Sequence, residues 1–156
     1  MGEKLSRRLA QAHFDGPHHE AILNLLVVVA QLNDRFDGAC ARHGLTHGQY
    51  NVLRILGGAH PRGYARCDIA RRLIDRAPDV TRLIDRLEHQ GLAERLGSER
   101  DRRLSITRIT RKGLRLLEHM RSDIDDVQRE IATRISHDEA RELSRLCEQL
   151  YDTEAE

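Results

Sequence analysis

Along most of the chain, apolar residues recur every three or four positions, the period of a helix with one buried face. From about His19 to His43 the spacing is kept by Ile22, Leu25, Val29, Leu32, Phe36 and Cys40. Apolar neighbours over Leu25 to Ala30 widen that stripe, so this helix is expected to be covered on more than one side. Gly44 closes it, and Thr46 caps a further helix with Tyr50, Leu53 and Leu56 facing inward. A short helix from Lys4 to Phe14 precedes them, ended by Asp15-Gly16-Pro17. Gly57 to Gly63 reads as a loop, followed by a short helix over Ala65 to Ile74 with Ile69, Ala70 and Leu73 as its apolar side. After a break at Asp75 to Ala77, Pro78 suits the first turn of a helix over Pro78–Gln90. There Val80, Leu83, Ile84 and Leu87 stand at i, i+3, i+4 and i+7, and Gly91 stops the run.

The period then changes. Leu92 to Leu96 reads as a strand, Gly97 to Arg103 as a polar tip, and Leu104 to Ile109 alternates as a returning strand. Thr110 caps a long helix to about Arg134, with Leu117, Met120, Ile124, Val127 and Ile131 in a heptad rhythm. A last helix over His137 to Tyr151 has Leu143, Leu146, Cys147 and Leu150 on one face. Short helix, tight turn, amphipathic helix and basic hairpin outline a winged helix-turn-helix. The fold class expected is mainly α with a small β-hairpin wing, a winged helix-turn-helix plus N- and C-terminal dimerisation helices. The corresponding division is 1–44, 45–110 and 111–156. The terminal helices carry more apolar surface than so small a module needs, which points to burial against a second copy.

Charge changes the picture only when it is localised. The 156 residues hold 26 Lys+Arg against 25 Asp+Glu, a net charge of +1 that suggests no polyanionic partner. Between Arg62 and Lys112, however, 14 cations face 8 acids, a local excess of +6 that leaves −5 for the rest. The few aromatics (Phe14, Phe36, Tyr50, Tyr64, Tyr151) make no stacking platform for single strands. Cys40, Cys67 and Cys147 are far apart and fit neither a disulfide scaffold nor a zinc knuckle. The longest apolar run, Leu25 to Ala30, falls well short of a membrane span, and the charged N-terminus does not read as a signal peptide. A reduced, soluble, cytoplasmic protein is expected, without cofactor or metal.

With its apolar face buried, the Pro78–Gln90 helix turns Asp79, Thr81, Arg82, Asp85 and Arg86 outward. Arg82 and Arg86, one turn apart, suit guanine edges or phosphates, and Thr81 a phosphate or a thymine methyl. Alone, such a run reads as a solvated face paired within itself, Asp79–Arg82 and Arg82–Asp85. The helix before it and the hairpin after it favour DNA instead. The tip Glu99-Arg100-Asp101-Arg102-Arg103 adds arginines of the kind a narrow minor groove attracts. Asp101 would serve there by orienting a neighbouring arginine.

Leu45-Thr46-His47-Gly48-Gln49-Tyr50, Asp68-Ile69-Ala70-Arg71-Arg72-Leu73 and the run from Val80 to Leu92 form one set of motifs. Together with Asp101-Arg102-Arg103 and Ile109-Thr110-Arg111-Lys112-Gly113 they resemble the MarR family of bacterial transcriptional regulators over about Leu45 to Leu117. The resemblance implies a homodimer whose two winged helices read a pseudo-palindromic double-stranded DNA operator. It places the Pro78–Gln90 helix in the major groove and Arg103, beside Asp101, at the minor groove. Ala77-Pro78-Asp79 departs from the small hydroxyl residues common at that helix start. The function expected is a repressor released by a small, in such regulators often aromatic, ligand.

For a ligand anion between the terminal helices and the winged helix, Arg35, Arg42, His43 and His47 are the polar candidates. Cys67, at a helix start beside Arg66, is the candidate for a redox-responsive regulator. Cys40 and Cys147 stand at apolar positions and read as buried small hydrophobes. The peroxide sensors of the family carry their reactive cysteine near the N-terminus, where this chain has none before Cys40. His13, His18 and His19 cluster in a turn without the spacing of a metal site. No nucleophile–base pair or phosphate-cradling glycine loop suggests an enzyme. A winged helix serving as a protein–protein module is the remaining alternative, and it would want a more apolar face.

Overall fold

The computed structural model describes residues 2–74, 79–97 and 105–151. Among them the chain runs α1 (Glu3–Leu9), α2 (Pro17–Ala41), α3 (His47–Gly58), β1 (Tyr64–Ala65), α4 (Arg66–Arg72) and α5 (Val80–His89). It continues with β2 (Ala93–Leu96), β3 (Ile106–Ile109), α6 (Arg111–Ala132) and α7 (His137–Tyr151). Residues up to Met120 make one compact unit and those from Arg121 a second, so α6 begins in the first and ends in the second.

In the first unit, Val52, Leu53 and Leu56 of α3, Ile69 of α4, and Ile84 and Leu87 of α5 are all but removed from solvent. With Ile109 of β3 they form the core on which α5 is seated. The turns that let these helices meet are specified locally. Thr46 Oγ1 accepts from the Gln49 N–H at 3.2 Å, and Gln49 Oε1 accepts from the Thr46 N–H at 2.8 Å. This reciprocal pair satisfies two donors that a helix start leaves open. Gly44, at φ +72°, closes α2 with Leu45 N donating to Cys40 O at 3.1 Å.

The sheet is antiparallel in the order β1-β3-β2, with Tyr64 opposite Thr107 and Ala93 opposite Ile109. The winged helix-turn-helix expected from the sequence is present, with differences at several boundaries. Helix α1 ends at Leu9 rather than Phe14, because Ala10 turns left-handed at φ 51° and returns its N–H to Ser6 O. Gly57 and Gly58 belong to α3 and not to a loop. A Cβ on Gly57 would lie 2.8 Å from Leu117 of α6, so the missing side chain is what lets that helix come close. The two-residue strand β1 was not expected, since nothing in its own sequence alternates. It exists because Gly63, at φ +78°, passes where a Cβ would meet the Thr107 carbonyl oxygen at 2.3 Å.

In the second unit, α7 is opened by Ser136 and Glu139. Ser136 N donates to Glu139 Oε2 at 2.8 Å, and Ser136 Oγ accepts from Glu139 N at 3.3 Å. Those bonds hold the Glu139 carboxyl below its ordinary pKa. No residue of α7 is buried. Cys147 is half-buried rather than enclosed, and Leu143, Leu146 and Leu150 on its face are exposed.

Candidate nucleic-acid interface

Both ends of α5 are fixed by the chain around them. At the start, Asp79 caps the helix, its Oδ1 accepting from the Arg82 N–H at 3.2 Å. Pro78 and Ala77 lie outside the described residues. At the far end, Gly91 at φ +68° allows Gly91 N to reach Glu88 O and Leu92 N to reach Leu87 O, both at 2.8 Å. Around this turn, Lys112 Nζ donates to Gln90 O and Thr110 Oγ1 to Gly91 O, each at 2.8 Å. Gln90 Nε2 donates to Gly44 O at 3.3 Å. The motif Ile109-Thr110-Arg111-Lys112-Gly113 is thus a staple on the end of α5. Gly113 is required there, since its Cβ would stand 2.4 Å from Leu92 O.

Val80, Ile84 and Leu87 bury one side of α5, while Arg82, Asp85, Arg86 and His89 are exposed and Thr81 is half-buried. Arg82, Arg86 and His89 line a shallow depression with Gln49 and Gln90. The two acids that the sequence offers to Arg82 are engaged elsewhere. Asp79 caps the helix, and Asp85 Oδ1 accepts from Arg95 Nη2 at 2.6 Å. Arg95 Nη1 lies 2.6 Å from Glu88 Oε2, and Arg95 N donates to Glu88 Oε1 at 2.9 Å. Among the described residues, no carboxylate pairs with Arg82 or Arg86, which leaves α5 presenting two unneutralised guanidinium groups. Sequence reasoning passed over Arg95. The signal was available: acids at i and i+3 on the helix, then a strand whose alternation sets Arg95 apart from Glu94.

Glu94 goes the other way, accepting from Arg108 Nε at 2.7 Å across the β2–β3 ladder. Arg71 and Arg72 pair with Asp68 at 3.2 and 3.9 Å, and the Arg72 guanidinium lies 4.2 Å above the Tyr64 ring. Part of the local basic excess is therefore structural. Arg100, Asp101, Arg102 and Arg103 lie outside the described residues.

Of the ligand candidates, Arg35 and Arg42 are exposed, while His43 and His47 are half-buried about the turn between α2 and α3. His47 is held against α2 by its ring, stacked on Phe36 with centroids 5.1 Å apart and an 11° tilt. Cys40 is fully enclosed, and burial, assisted by Asp37, pushes its thiol up to about 11. Cys67 is exposed in the first turn of α4, with Arg71 Nη2 at 3.9 Å from its sulfur. His19 pairs with Asp15 at 3.5 Å and meets Phe14 edge-on. No described helix is long and apolar enough to cross a membrane.

Known proteins share this fold. Residues 45–105 match the model of the MarR family. A MarR transcription factor of Planctomyces limnophilus, known as a crystal structure, is 34% identical to this chain. The match covers 88% of this chain and 99% of that one, with a TM-score of 0.67. The chain belongs to the MarR family. Like other MarR regulators it is a DNA-binding transcriptional regulator of winged-helix fold. The homoprotocatechuate degradative operon repressor of Escherichia coli is 28% identical over 108 residues, 69% of this chain and 72% of that protein. The S. aureus MepR–DNA complex has the same fold at 21% identity, covering 81% of this chain and 92% of that one with a TM-score of 0.71.

Proposed function

We propose that this MarR protein is a homodimeric repressor whose two α5 helices enter the major groove of a pseudo-palindromic operator. The half-sites would be separated by about one helical turn. The observation that carries this reading is the exposed pair Arg82 and Arg86, one turn apart on a helix fixed at both ends and without carboxylate partners among the described residues. Thr81, Arg82 and Arg86 read base edges or phosphates, and Arg100, Asp101, Arg102 and Arg103 serve the minor groove. Asp85 acts at the same surface through its bond to Arg95. That a relative of the same fold was crystallised with DNA supports the reading.

The dimer is formed by residues 1–44 and 111–156, with 45–110 as the DNA-binding part. In the single chain, Ile22, Leu26 and Val29 of α2 and Leu143, Leu146 and Leu150 of α7 lie exposed at helical spacing, as surfaces awaiting a second copy do. A small aromatic acid releases the operator, its carboxylate held among Arg35, Arg42, His43 and His47. The name of the Escherichia coli relative, which ties a repressor to the breakdown of an aromatic acid, supports that class. The protein works in the cytoplasm and performs no catalysis.

Fluorescence anisotropy on the DNA flanking its own gene tests the reading. Tight binding that falls steeply with salt, and release by one of a panel of aromatic acids, is the expected result. The exposed thiol of Cys67 favours a second reading, a redox-responsive regulator, and release by peroxide alone would select it. No specific binding at any salt would return the winged helix to a protein–protein module.

A further inference from the structure

We propose that Arg95 is a positioning residue that locks the DNA-reading helix to the wing, so that α5 and the β2–β3 strands meet DNA as one rigid piece. The inference rests on the reading of α5 as the helix that enters the groove.

Arg95 lies on β2, just past the glycine turn that ends α5. Its guanidinium spans Asp85 Oδ1 and Glu88 Oε2, each at 2.6 Å, and its backbone N–H holds the second Glu88 oxygen at 2.9 Å. Asp85 and Glu88 are three positions apart and so share one side of the helix. A planar guanidinium fork fixed by two carboxylates cannot rotate or slide without breaking a charge-assisted bond. The Arg95 side chain is 22% exposed and that of Glu88 26%, which shields this pair from counter-ions better than an ordinary surface pair, while Asp85 is 50% exposed. The neighbouring residue Glu94 is held by Arg108 of β3 in a separate pair, so Arg95 does not share its two acids with the ladder.

Two consequences follow for recognition. The lock holds the stretch of α5 that carries Asp85 and Glu88 in one orientation against β2. It also fixes the angle between helix and wing, on which simultaneous contact with the two grooves depends. Arg95 does this without touching DNA, and that separates it from a phosphate-binding arginine.

The test compares Arg95→Met, Arg95→Lys and Asp85→Asn with Arg82→Ala, using amide hydrogen exchange of the free protein and anisotropy on the flanking DNA. Arg95→Met is expected to lower protection across Val80–His89 and to weaken DNA binding about tenfold. The slope of affinity against salt should not change, whereas loss of a phosphate contact lowers that slope by about one. Arg95→Lys should recover part of both effects, because an ammonium can hold one acid. Asp85→Asn should cost less in the Arg95→Met background than alone, which reports coupling even if Arg95→Met is less stable. Unchanged exchange in α5, or a salt slope lowered by one in Arg95→Met, would overturn the proposal. If Arg95→Met loosens α5 while Arg82→Ala binds DNA as the parent does, the lock stands and the reading of α5 fails.

Discussion

Helices α5 and α7 carry the same apolar rhythm. Val80, Leu83, Ile84 and Leu87 repeat at the offsets of Leu143, Leu146, Cys147 and Leu150. Their surroundings are opposite. Ile84 and Leu87 are 1% and 0% exposed, whereas Leu146 and Leu150 are 44% and 69% exposed. A period of three and four states that a helix has a face to bury, and is silent on what buries it. For α5 the answer lies within its own unit, in α3, α4 and β2. For α7 no residue is buried by the chain alone, and a second copy is the surface proposed to complete it.

The largest effect should come from the buried stripe. Ile84→Ala is expected to cost about 2–5 kcal/mol in urea unfolding, since the cavity lies among side chains that cannot close over it. Replacing Leu146 and Leu150 together by Glu should instead leave a folded chain that sediments as a monomer at micromolar concentration. A dimer that survives this pair would break the contrast between the two helices. Next in size, Arg82→Ala should cost about 1–3 kcal/mol in DNA affinity and relax specificity at one position, read by competition among operator variants. Thr46→Ala removes the cap that starts α3 beneath α5 and should cost about 1 kcal/mol of stability, measured by thermal melting.

The smallest effects concern the thiols. Cys67 should react first with an aromatic disulfide, and Cys147 more slowly as rising protein concentration covers α7, while Cys40 waits for unfolding. Burial raises the Cys40 thiol from 9.0 to about 11, so the folded state keeps a proton that the unfolded chain would release. Its stabilising contribution is complete below about pH 9 and is lost as pH rises through about 11. A thiol titration with a melting curve at each pH would show the decline. Equal reactivity of Cys40 and Cys147 at every concentration would remove the distinction between the two stripes.

Much of this was readable from the residues. Helical periods, the Gly44 and Gly91 stops and the Thr46 cap each rest on bonds within a few residues, and such bonds are written locally. Features that depend on distant chain were not. Gly57 looks like part of a loop until Leu117 of α6 is laid against it, and β1 has no existence without β3. At the start of α5, the cap is Asp79, whose oxygen takes the Arg82 amide. At the interface, Arg82 and Arg86 were legible as an outward pair. Their freedom from Asp85 was not, because it depends on Arg95, ten residues beyond Asp85 on another element.

A single residue, Thr110, joins β3 to α6. Its hydroxyl is bonded to Gly91 O and the Gly113 N–H, so the joint holds no slack loop to absorb movement. Helix α6, with 22 residues, is about 33 Å long, and its first part, Arg111 to Met120, belongs with the sheet and α5 to one compact unit. Whatever turns the start of α6 therefore turns the end of α5 with it, through Thr110 and Lys112, with no contact needed on the outward face of that helix.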